Sequence, residues 1–277
     1  MKDFKINFEL KNINDIEPWG DNTIDLFTLT DGTLYIQVGD EKIYEYSDSA
    51  RDFFKYDIKY NEYYLERFVC DFTDIFRFIR EPIPKILYDN IDKFEDITDL
   101  WKNMYEDKPD DIFDEFYFGE YSTLTEWYYM QHTFDSAHLV GGPHIGFFRC
   151  DDKVKILWKS YDNAVLENGK NIWTSPNGVY EISWNDFTKE VKNFYWRFRR
   201  KMDSRTAYIY KHGLTHAQTN REQLLHSNNN NIIAFRQHLK LLFSNDYEKT
   251  DFDSILTIYE KMRSEINEQE LQEISDS

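Results

Sequence analysis

The residues best placed to do chemistry are carboxylates. Between residues 89 and 120 twelve acids stand against Lys93, Lys102 and Lys108 alone, so half of the net charge of -18 falls in this stretch. Tyr105, Phe113, Phe116, Tyr117 and Phe118 interleave with them. Dense like charge sets up a potential that speeds association with a basic partner, and salt screens it over about 8 Å at physiological strength. Aromatic residues are what the dry centre of an interface favours. The expected partner-binding residues are therefore Glu106, Asp107, Asp110, Asp111, Asp114, Glu115, Phe116 and Tyr117. The plainer alternative is a solvated face. Calcium is the metal that carboxylates suit, but the ligand order and central glycine of an EF-hand are absent around Asp107 to Glu115.

Two groups of histidines are the next candidates: His132, His138 and His144, and His212, His216 and His226. Neither has the H-E-x-x-H spacing that puts two imidazoles on one helical face, and Gly213 interrupts the second group. Satisfied structural histidines are the ordinary reading. No G-x-S-x-G elbow, phosphate-cradling G-x-x-x-x-G-K or G-x-G-x-x-G occurs. Gly141-Gly142-Pro143 precedes a strand pattern rather than a helix, so it reads as a turn and not as an anion loop. Cys70 and Cys150 fit neither a zinc spacing nor a disulfide framework. No catalytic residue, cofactor or metal is expected.

Composition narrows the partner. A balance of 33 basic against 51 acidic residues opposes direct binding to nucleic-acid phosphates and makes a basic protein the natural complement. Acidity also confers solubility by itself. No window approaches the roughly 20 apolar residues of a membrane span, and Met1 to Lys5 lead into alternation rather than a signal-peptide core, so no membrane and a cytoplasmic location are expected. The basic run Lys189, Lys192, Arg197, Arg199, Arg200, Lys201 and Arg205 reads as helix-dipole and ion-pair chemistry.

The elements that must position these residues read as α+β: antiparallel β-meanders and hairpins packed against helices, with a helical carboxy-terminal third. Strands are expected at residues 4–10, 26–30, 34–38 and 43–46, with turns at Asp31-Gly32 and Gly39-Asp40. Apolar spacings of three and four then predict helices over 64–79 and through Phe94, Ile97, Trp101 and Met104, and a capping box at Thr123 and Glu126 predicts another. A second strand series covers 145–149, 154–158, 172–173 and 179–182, turning at Asp151-Asp152 and Pro176-Asn177-Gly178. Ser183 and Asp186 cap a helix over 184–202, Asn228 to Asn231 read as a loop and cap, and helices follow at 232–243 and 252–266. One domain over 1–270 is expected, with possible halves 1–120 and 121–270, followed by a flexible acidic tail at 271–277.

Five blocks in order carry a resemblance: Glu17-Pro18-Trp19-Gly20 with Leu26 to Gly32 and Tyr35-Ile36; Trp127 to Leu139; Pro143 to Trp158 with Arg149 and Asp152; Trp173 to Gly178; and Phe187 to Arg205 with Met202. Together they resemble a bacterial family catalogued only as a domain of unknown function. The resemblance implies a single α+β module and supplies no catalytic residues, and the stretch from His132 to Gly142 departs from the family's pattern. In character the chain is also similar to immunity proteins that neutralise bacterial toxins. The expected function is non-catalytic inhibition of a basic toxin domain by occlusion. A subunit of a larger bacterial assembly, and an enzyme with an unrecognised metal or histidine site, are the alternatives.

Overall fold

A computed structural model describes residues 4–18, 22–134, 141–244 and 249–266. Trp19 and Gly20 of the first block, His138, residues 135–139 of the second block, and the tail at 271–277 lie outside the described residues. The architecture is α+β, built on two antiparallel sheets.

In the first sheet β1 (Phe4–Leu10) pairs along its whole length with β2 (Asp31–Val38), and β3 (Glu41–Ile43) and β4 (Asn61–Tyr64) share the other edge of β2. Alternation of apolar and polar residues buries Phe4, Ile6, Leu34, Ile36 and Val38 on one face. The turn at Gly39-Asp40 occurs as expected, with Gly39 at φ +57° joining the paired residues Val38 and Glu41. Asp31-Gly32 does not turn. It opens β2, where a Cβ on Gly32 would lie 2.3 Å from the Glu9 carbonyl oxygen, so glycine serves close backbone approach. Nor is 26–30 a strand: the Asp25 carboxylate accepts from the backbone N–H and hydroxyl of Thr28 (2.8 and 2.7 Å) and starts a tight helical turn, Thr28–Thr30.

Helices α1 (Asp48–Phe54), α2 (Leu65–Asp74) and α3 (Phe76–Ile79) follow, the expected helix over 64–79 breaking at Ile75. Then come α4 (Lys85–Asn90), α5 (Phe94–Glu106), α6 (Asp110–Phe116) and α7 (Ser122–Thr125). From Asp110 to Gln131 the helix is continuous, but two stretches, Tyr117–Tyr121 and Glu126–Gln131, are wound as π-helix. Thr123 is thus no amino-terminal cap; its hydroxyl donates to the Gly119 carbonyl inside the helix.

The second sheet runs β5 (Thr133–Phe134), β6 (His144–Cys150), β7 (Lys153–Lys159), β8 (Asn177–Ser183), each antiparallel to the next. Asp151, at φ +51°, turns β6 into β7 as expected. Asn177 and Gly178, expected in a turn, instead begin β8, and Ile172-Trp173 contributes one isolated bridge, Trp173 to Tyr46, rather than a strand. The β6–β7 pair buries apolar residues on both faces. Ile145, Phe147, Val154, Ile156 and Trp158 pack with the first sheet, α2, α3 and α8, whereas Phe148 and Leu157 pack with the helices around Phe94, Trp101 and Trp127.

Helix α8 (Trp184–His212) starts where Ser183 accepts from the Asp186 N–H (3.1 Å) and runs ten residues past its expected end, to Gly213. It guards the edge of β1: the Ile6 N–H donates to Glu190, and Arg197 donates to the Ile6 carbonyl (2.7 Å). Within the basic run, Arg199 pairs with Asp203 and Arg205 donates to the carbonyls of Leu29 and Lys11. The asparagine run is a correction. Asn228 to Asn231 lie inside α9 (Arg221–Phe243), because buried Asn228 bonds Asp203 and Thr206 on α8 and Asn231 bonds Glu66. Last, α10 (Phe252–Glu265) is tied to α5 through Glu265, which accepts from the Trp101 indole (2.7 Å) and the Tyr105 hydroxyl (3.0 Å).

Candidate functional site

The acidic residues gather at the end of α5 and along α6. Pro109 sets the entry to α6, and Asp110 and Asp111 fill its first turn, where the exposed backbone N–H groups favour negative charge. Asp114 and Glu115 lie past that turn and gain nothing from it. Glu106 pairs with Lys102, but Asp107, Asp110, Asp111, Asp114 and Glu115 are exposed and have no ion pair or hydrogen bond from their side chains among the described residues. Phe116 is not on this surface. It is 4% exposed, stacked on Tyr105 at 3.9 Å and edge-on to Trp101 at 4.7 Å, because helical spacing turns it into the core away from its acidic neighbours. Tyr117 is half-buried between Phe113 and Tyr121. Ile112, 46% exposed, and Phe118, 74% exposed, are the apolar side chains that reach solvent here.

A second site joins residues that are far apart in sequence. Gly141 turns at φ +55°, the Trp173 indole donates to its carbonyl (3.0 Å), and the Tyr44 hydroxyl donates to the Pro143 carbonyl (3.1 Å), which delivers His144 to the start of β6. The hairpin register places Lys159 directly opposite. The first turn of α5 crosses this end of the sheet and brings Glu95 and Asp96. Glu95 Oε1 lies 2.6 Å from His144 Nε2, and Lys159 Nζ lies 2.8 Å from Asp96 Oδ1 and 3.5 Å from Glu95 Oε2. Burial alone would raise the Glu95 carboxyl, but the hydrogen bond and charge of His144, the charge of Lys159 and the Tyr128 hydroxyl outweigh it and hold the group below its ordinary value. An ionised carboxylate only accepts, so His144 donates to it through Nε2. His144 Nδ1 is buried and has no partner.

The π-wound stretch Glu126–Gln131 supplies the remaining walls. Tyr128 stacks on Phe94 at 4.8 Å, and Tyr129 stands edge-on to His144 at 6.0 Å, with Tyr161 on the imidazole's other neighbour position at 5.6 Å. Two open lobes share Glu95, His144 and Lys159. One, of about 440 Å³, is bounded by Asp92, Asp96, Trp158 and Asn177; the other, of about 460 Å³, by Asp99, Tyr129, Met130, Tyr161 and Asp162.

A family of unknown function, DUF5984, matches residues 5–257. The chain belongs to the DUF5984 family. No curated protein and no solved structure matches it. The acidic face and the cleft both fall within the stretch that DUF5984 covers, as does the expected family resemblance.

His132, His216 and His226 of this DUF5984 chain make structural contacts. His132 is buried, 3.2 Å from the Phe147 carbonyl through Nδ1 and stacked on Phe148; burial, only partly offset by that hydrogen bond, lowers its pKa to about 4. His216 reaches the Ile16 carbonyl and His226 the Asn230 amide. Among the described residues no three His, Cys, Asp or Glu side chains group to hold a metal, and Cys70 and Cys150 are free thiols. No helix of the described chain is long and apolar enough to cross a membrane. The pairing of Glu95 with His144 was missed in the sequence because 49 residues separate them. Its trace was there, in a carboxylate beside Phe94 at the start of an amphipathic helix and a histidine at the mouth of an apolar strand.

Proposed function

We propose that this chain is a non-catalytic binding protein that neutralises a basic protein domain, in the manner of an immunity protein occluding a toxin, through the acidic face at the end of α5 and along α6. The observation that carries the reading is the set of unpaired carboxylates, Asp107, Asp110, Asp111, Asp114 and Glu115, beside exposed Ile112 and Phe118. Asp107, Asp114 and Glu115 have no folding role at the start of α6, since only Asp110 and Asp111 sit in the helix's first turn, and the apolar side of the same helix already anchors it through Phe116. A basic partner would remove the mutual repulsion of these acids, and Ile112 and Phe118 would supply an apolar centre inside a charged rim.

The test is capture of proteins from the source cell, including the products of neighbouring genes, by wild type and by the variant Asp110→Lys, Asp111→Lys, Asp114→Lys, Glu115→Lys, at low and high salt. All four positions are exposed, so the variant is expected to keep the wild-type circular dichroism spectrum. One basic protein held at low salt, released at high salt and lost by the variant supports the reading. A partner held equally by the folded variant rejects this face as the interface. Light scattering separates the alternative of an assembly subunit, which requires a fixed oligomer of the purified chain.

A further inference from the structure

We propose that the lobe between His144, Asp99 and Tyr161 is a binding site for a small organic cation bearing N–H donors, an alkylguanidinium or alkylammonium group. This inference does not rest on partner capture by α6. It begins from a charge imbalance inside a cavity. Lys159 is the lysine that lines this lobe, and it is committed to Asp96 at 2.8 Å and to Glu95 at 3.5 Å. Glu95 is further engaged by His144. Asp99 and Asp162, on the walls of the second lobe, have no ion pair or hydrogen bond from their side chains among the described residues. Partial desolvation raises the Asp99 carboxyl, and the nearby charge of Lys159, opposed by Glu95 and Asp96, does not reverse it.

Three further features select the kind of cation. His144 is 8% exposed, lines the lobe, and keeps Nδ1 without a partner while Glu95 holds its other nitrogen. The carboxylates of Asp99 and Asp162, when ionised, only accept and call for donors. The rings of Tyr129 and Tyr161, each within 6.0 Å of the imidazole, give the lobe aromatic faces of the kind that attract guanidinium and ammonium groups. A volume of about 460 Å³ suits a small molecule, and Met130, 73% exposed at the rim, offers apolar surface for an alkyl stem. A bare metal ion would leave the rings and the stem surface unused, and the described residues offer it no group of three ligands.

The probe is agmatine, with tetramethylammonium as the cation that lacks N–H donors and an arginine-rich peptide as the macromolecular source of the same group. Binding is followed by calorimetry and by the imidazole resonances of His144. Agmatine is expected to saturate with a dissociation constant below about 1 mM and to shift the His144 signals, with tetramethylammonium at least about tenfold weaker. The variant Asp99→Asn, Asp162→Asn alters exposed side chains and is expected to fold and to weaken agmatine at least about tenfold. The α6 lysine variant is expected to bind agmatine as wild type does, so the two readings fail separately. The peptide gaining affinity over agmatine that the α6 variant loses identifies a protein as the source of the cation, and equal affinities identify a free metabolite. Absence of saturable agmatine binding, or binding unchanged in the Asp99→Asn, Asp162→Asn protein, overturns the proposal.

Discussion

Two histidines of similar burial illustrate what partners do at the residue scale. His144 has a carboxylate within hydrogen-bond reach, whereas His132 has one backbone carbonyl and aromatic faces, with a pKa lowered to about 4 from an ordinary 6.5. The folded chain therefore keeps His132 neutral where the unfolded chain takes up a proton. Its contribution is complete above pH 6.5 and declines as pH falls towards 4, reaching a loss of about 2 kcal/mol by pH 5. Urea midpoints at pH 7 and pH 5 check this: His132→Phe keeps the stacking on Phe148, loses the bond to the Phe147 carbonyl, and should show a smaller drop between the two pH values than wild type. Parallel drops would remove His132 from the account of acid sensitivity. Sequence gives residue types but not the residues they meet. Asp110 to Glu115 could be read as exposed acids because charge goes to solvent; the burial of Phe116 among them depends on where Trp101 and Tyr105 stand, and the bond between Glu95 and His144 depends on a helix crossing a strand end.

At the scale of elements, legibility followed the locality of the signal. Gly39-Asp40, Asp151 and the Ser183 cap act through their nearest neighbours, and each element boundary they mark is where the residues place it. The misreadings occurred where a distant contact overrode a local preference. Asn228 and Asn231 suit loops by themselves, yet their amides pair with Asp203, Thr206 and Glu66 and hold α9 helical through the run. Gly32 has the local look of a turn, but the neighbouring strand needs its missing side chain. Two glycine substitutions separate these causes. Gly32→Ala forces a Cβ to within 2.3 Å of the Glu9 carbonyl and should cost about 1–3 kcal/mol. Gly119→Ala lies in the π-wound stretch with nothing within 4 Å of the new Cβ, and should gain up to about 1 kcal/mol through helix propensity. Chemical denaturation of the two variants would show opposite shifts in midpoint; a stabilising Gly32→Ala would mean that the β1–β2 approach is looser than its register implies.

At the scale of the whole molecule, the sheet of β6 and β7 is where the structure is joined. Both apolar clusters draw residues from either side of residue 120. The strands that link them bury apolar residues on both faces, which the short residue runs alone do not reveal as serving two cores. Phe147 and Phe148 are adjacent, both within 1% of full burial, and face opposite clusters, the first against Phe72 and Phe187 and the second against Tyr128 and His132. Truncating either to alanine should cost about 3–5 kcal/mol. If the shared sheet couples the clusters, wild type unfolds in one transition, and Phe147→Ala and Phe148→Ala each lower that same midpoint by tryptophan fluorescence and by circular dichroism alike. Two separable transitions, each sensitive to only one of the substitutions, would show instead that the clusters fold independently. In that case the acidic face, built on the Phe148 side, would survive loss of the Phe147 side, whereas the cleft, whose His144 is positioned by Tyr44 and Trp173 of the other cluster, would be lost with it.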